Sequence, residues 1–193
     1  MTELNSPFGS ADNERALEDI VWTIEMSQEQ FSLILALCNS NKLRDSMVKQ
    51  LRETCPNIEE IVLKPSDTLI YSKVKELSIQ KQPEAVMIRG LELVTDINQM
   101  LTVLNQLREE FWKSFKFPII LWINEAILTK MIRYTPDIES WASITYFNSF
   151  TKKHDVPSKE KLDSVNKHSG LGIQNFWIAN ILSKTQVGFL YQF

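Results

Sequence analysis

The chain has 193 residues, 44% hydrophobic and 23% charged, with a net charge of −3. That length suits one domain with a full apolar core, and the mildly acidic balance excludes a bulk electrostatic pull toward nucleic acid or anionic lipid. Two cysteines, Cys38 and Cys55, exclude a disulfide framework, and no apolar run reaches the roughly 18–20 residues that a membrane-spanning helix needs.

Residues 1–12 are rich in Asn, Ser, Gly and Asp and read as a flexible terminus. They lack the basic start and apolar run of a secretory leader, so a cytoplasmic protein is expected. Ala16, Leu17, Ile20, Val21 and Ile24 recur at helical intervals and predict a helix over 13–27. The uninterrupted run FSLILALC (31–38) fits a strand buried on both faces, as in a parallel sheet. Residues 41–55 are amphipathic through Leu43, Met47, Val48 and Leu51, and Pro56 stops that helix. A strand over 58–64 and a helix over 67–80 follow, with Asp67 as the expected N-cap.

The next strand, 84–90, leads through a Gly-Leu-Glu turn into one long helix over 95–115. The stripe of that helix is Ile97, Leu101, Leu104, Leu107 and Phe111. A buried strand is expected over 117–124, a helix over 125–134 and a fifth strand over 142–150. Strands alternating with helices predict a three-layer α/β/α fold with a mainly parallel five-stranded sheet. The α/β domain would cover 13–150. Residues 151–193 form a C-terminal extension of loop, helix (172–184) and short strand, expected to fold onto the same domain.

Ligands of open parallel sheets collect at the carboxyl ends of the strands. The side chains falling there are Cys38, Asn39 and Ser40; Lys64 and Asp67; Arg89 and Glu92; and Asn124 and Glu125. Several of these are ordinary turn and cap residues, as polar loops of an α/β protein commonly supply. A phosphate-binding loop after the first strand would need glycines, so that backbone amides can approach the phosphates, and a lysine to reach the outer ones. The turn there reads LCNSNKLRDSM, and the chain has no glycine between Gly9 and Gly90. His154 and His168 lack metal-ligand spacing, so neither a metal nor another cofactor is expected. Cys38 stands near a helix start, where a thiol pKa can fall, but its type and place suit a small core residue better. The lysines between 152 and 167 alternate with acids and read as solvated surface.

With the strands placed, the pattern over residues 17–145 resembles the N-terminal domain of some bacterial STAND-type signalling proteins, which are relatives of P-loop NTPases. Leu104, Asn105, Leu107, Arg108 and Glu109 carry the resemblance in the long helix. Leu121, Trp122 and Ile123 carry it in the fourth strand, followed by Glu125 and by Pro136, Asp137 and Trp141. It implies a P-loop-NTPase-like topology, with the phosphate loop after strand one, an acidic turn after strand three and a polar sensor after strand four. Glu92 and Asn124 match the last two positions, and the first is empty. The expectation is therefore a non-catalytic regulatory or protein–protein interaction module on a degenerate NTPase-like fold. Its partner would be another protein or a second copy, and neither nucleic acid nor membrane. The competing expectation is a nucleotide-binding or hydrolysing enzyme with a non-standard site at Asn39, Glu92 and Asn124. Aromatic residues at the chain end make Tyr191 and Phe193 the expected partner contacts.

Overall fold

A computed structural model describes residues 11–27, 29–138 and 141–148. Five strands, β1 (Ser32–Cys38), β2 (Ile58–Val62), β3 (Ala85–Arg89), β4 (Pro118–Ile123) and β5 (Ala142–Phe147), form one sheet. Its order is β2-β3-β4-β1-β5, and every pairing is parallel. The helices are α1 (Ala11–Met26), α2 (Asn41–Thr54), α3 (Ile70–Lys81), α4 (Ile97–Gln106), α5 (Arg108–Ser114) and α6 (Glu125–Tyr134), with a 3₁₀ turn at Leu91–Leu93. The fold is α/β, a five-stranded parallel sheet with helices on both faces.

The direction of each crossover decides which face its helix covers. The β1-to-β2 connection runs to one edge of the sheet and puts α2 on the face that α1 also covers. The three later connections run the opposite way, and right-handed crossovers put α3 to α6 on the other face. Alternation along the strands serves both layers. Ile34, Ala36, Cys38, Ile120 and Trp122 meet Ile20, Leu43, Met47 and Leu51 of α1 and α2. Leu33, Leu35, Leu121 and Ile123 point to the other side and are buried as well. The central strands β1, β3 and β4 therefore read as unbroken apolar runs, as a sheet covered on both faces requires. Trp122 is fully buried and lies against Phe147, with ring centroids 5.1 Å apart. Asn13 of α1 ties down the end of β5 through both its amide atoms: Nδ2 donates to the Asn148 carbonyl (2.8 Å) and Oδ1 accepts from the Asn148 amide (2.9 Å).

Several expected boundaries move. The first helix starts at Ala11, inside the segment expected to be flexible. The third helix starts at Ile70, and Leu69 is its N-cap without a side-chain bond. Asp67 instead closes the turn before it, accepting from the Lys64 amide at 2.7 Å and pairing with Lys73 at 3.0 Å. The long helix expected over 95–115 is two helices broken at Leu107. The predicted helix over 172–184 and the contact residues Tyr191 and Phe193 lie outside the described residues.

Candidate functional site

β1 and β4 are neighbours, but the chain leaves them in opposite directions: β1 leads to β2 at one edge and β4 leads to β5 at the other. That divergence opens the crevice where a parallel α/β sheet receives a ligand. Asn39 and Ser40 form the whole connection from β1 to α2, and Asn124 alone joins β4 to α6. Their side chains are already committed to the backbone. Ser40 Oγ accepts from the Leu43 amide at 3.3 Å and Asn124 Oδ1 from the Ile127 amide at 2.9 Å, each capping its helix. Asn39 reaches across the crevice, where its Oδ1 accepts from the Glu125 amide at 2.9 Å. The helix N-terminal amides that would face an anion here thus already hold side-chain oxygens of the chain itself.

Glu92 lies one strand further along, in the 3₁₀ turn after β3. Its Oε1 accepts from Nη1 of Arg44 at 2.7 Å. Arg44 stands in the first turn of α2, is buried, and gives Nη2 to Asn41 Oδ1 at 3.0 Å. Glu92 has the charge and the place of a helix-start carboxylate for the helix expected from residue 95. The structure gives the cap of α4 to Asp96, whose side chain accepts from the Gln99 amide, and gives Glu92 to Arg44. Glu92 Oε2 and Arg44 Nε are buried and lack a hydrogen-bond partner. The structure thus brings Asn39 to the N-terminus that Asn124 caps, and no hydrogen bond joins any two of the Asn39, Glu92 and Asn124 side chains.

Arg44 is the residue that sequence reasoning missed. It occupies the same stripe as Val48 and Leu51, four and seven residues on, so its helical position alone placed it inward. A second ionic cluster lies beside it. Arg89, at the end of β3, pairs with Glu60 of β2 and with Asp45 of α2 (2.6 Å), and Arg52 pairs with the other oxygen of Glu60 at 2.8 Å. It links α2 to the two strands it crosses. The turn after Arg89 requires glycine: Gly90 has φ +87°, and a Cβ there would stand 2.8 Å from the Leu63 carbonyl oxygen.

Burial pushes the Cys38 thiol above its ordinary pKa and outweighs the nearby Arg44. The thiol donates to the Ser40 carbonyl, so Cys38 is a core residue and not an activated nucleophile. Burial also acts upward on Asp67, but the Lys64 amide and the Lys73 ammonium prevail and hold its carboxyl below the ordinary value. Among the described residues, no three of His, Cys, Asp and Glu converge as metal ligands, and no helix is long and apolar enough to cross a membrane.

An apolar cavity lies toward the opposite end of β1 and β4, lined by Phe31, Leu33, Leu104, Phe111, Ile119 and Trp141. Its volume of about 10 Å³ would hold at most one water. Nearby, the residues that carry the family resemblance form a clamp. Asn105 Nδ2 donates to Asp137 (2.9 Å), the Asp137 amide donates back to Asn105 Oδ1 (3.2 Å), and Arg108 pairs with Asp137 at 3.5 Å. Trp112 and Trp141 meet edge to face beside them. No protein-family model matches the chain, and no curated protein is similar to it in sequence.

Proposed function

We propose that the chain is a non-catalytic regulatory or protein–protein interaction module, built on a degenerate NTPase-like α/β domain and working in the cytoplasm of a bacterium as part of a signalling protein. One observation carries the reading: Asn39 spans the crevice between β1 and β4 and occupies the Glu125 amide at the start of α6. A phosphate entering there would first have to displace the chain's own side chains. The two-residue turn after β1 is also too short to wrap a phosphate, and it holds no glycine.

A nucleotide-binding or hydrolysing site at Asn39, Glu92 and Asn124 is the second reading. It is favoured by the unpartnered Glu92 Oε2 and Arg44 Nε, which polar atoms of a ligand would satisfy. Thermal melts with magnesium and ATP or GTP separate the two. A ligand at ten times its dissociation constant adds about 1.4 kcal/mol of stability. The module reading expects no shift with either nucleotide. A saturable shift that Glu92→Gln abolishes would establish the second reading in its place.

A further inference from the structure

We propose that the outer face of α1, centred on Trp22 and Met26, docks a basic amphipathic segment of another protein. Asn13, Ala16, Leu17, Ile20 and Ile24 face the core and account for how α1 is held. Trp22 lies about 200° round the helix from Ile20 at 3.6 residues per turn. It therefore stands on the side opposite the core and is 62% exposed; Met26, one turn on, is 60% exposed. Neither contributes to the buried core.

The frame around this pair is acidic. Asp12, Glu14, Glu18, Asp19 and Glu25 are all exposed on α1, against a single basic residue, Arg15. Glu18 and Met26 sit four residues on either side of Trp22, and Asp19 and Glu25 three residues on either side, so three of its four nearest helical neighbours are carboxylates and the fourth is the methionine. Trp and Met are enriched at protein interfaces, and Trp is a frequent anchor of binding energy. Charge decides between the candidate occupants. A second copy would bring the same acidic face and be repelled, and an anionic lipid surface or a nucleic acid would be repelled as well. An apolar strip rimmed by carboxylates is complementary to a helix with an apolar stripe edged by Lys and Arg.

This surface deepens the interaction-module reading and names where and with what chemistry the partner binds. The test titrates the full chain with a short amphipathic Leu/Lys peptide, and with a Leu/Glu peptide of the same pattern as control, by isothermal calorimetry. Saturable one-to-one binding of the Leu/Lys peptide is expected. Trp22→Ala and the double variant Glu18→Lys/Glu25→Lys should each weaken it about tenfold while melting like the parent chain. Trp22→Gln repeats the test should the alanine variant fail to fold. Absence of Leu/Lys binding, equal binding by Trp22→Ala, or equal binding of the Leu/Glu peptide overturns the surface. So does self-association in sedimentation, or binding to anionic vesicles, that Trp22→Ala abolishes. Failure here leaves the nucleotide melts untouched, so a nucleotide shift overturns the module reading separately from this surface.

Discussion

Arg44 and Glu92 show how one side chain changes the meaning of another. A carboxylate near a helix start is worth roughly 0.3–1 kcal/mol. A carboxylate that neutralises a buried guanidinium is worth more, because its loss leaves the charge uncompensated. Glu92→Gln should therefore destabilise the fold by about 2–3 kcal/mol. That is less than the 3–5 kcal/mol of a fully buried pair, because the Glu92 side chain keeps 24% of its surface exposed. Urea unfolding measures it, and a companion Arg44→Met/Glu92→Gln variant should recover most of the loss. A Glu92→Gln midpoint equal to the parent would mean the pair is only an exposed contact. The carboxylate was conspicuous in the sequence because it follows a strand and a glycine. The arginine was not, because nothing local says which distant turn will meet it.

At the level of elements, strand positions were legible and helix ends less so. Continuous apolar runs located β1, β3 and β4 to within a residue or so, since burial on both faces leaves no alternation to misread. The break at Leu107 was hidden because the stripe from Ile97 to Phe111 passes through it without a phase change. A distant segment, the one after α6, bonds to Asn105 and Arg108 on either side of the break. Asp67 likewise has the residue type of an N-cap, yet the preceding turn and Lys73 claim it. Asn105→Ala removes both bonds to Asp137 and should cost about 1–2 kcal/mol. Hydrogen exchange should show faster opening of α5 and of the segment around Asp137. Unchanged protection in both places would show that the Arg108–Asp137 pair and the aromatic contacts hold the clamp without Asn105.

For the whole molecule, the alternation of strand and helix implied a parallel three-layer arrangement, but periodicity carries no information on which strands are neighbours. The order β2-β3-β4-β1-β5, and with it the crevice between β1 and β4, became visible only in three dimensions. The candidate residues Asn39 and Asn124 were placed correctly at strand ends. That both serve backbone amides depends on the two strands being adjacent. The same adjacency makes Trp122 central. Trp122→Ala should cost about 3–5 kcal/mol through the cavity it leaves beneath α1 and α2. Trp122→Phe should cost under about 1.5 kcal/mol, since the indole Nε1 has no hydrogen-bond partner to lose. A chemical melt of the two variants checks this ranking, and equal losses would contradict it.

The place of β1 in the sheet also sets a timetable. β2, β3 and β4 pair in the order in which they are synthesised, whereas β1 is made first and finds both its neighbours last. From the emergence of Cys38 to that of Ile123, on the order of ten seconds of translation, the strand SLILALC has no partner edge, and its second edge waits for Phe147. Pairings so distant along the chain close slowly. A nascent chain of this protein therefore presents its most apolar strand to chaperones before it presents a fold, and a chain cut before Ala142 would keep that strand open along one edge.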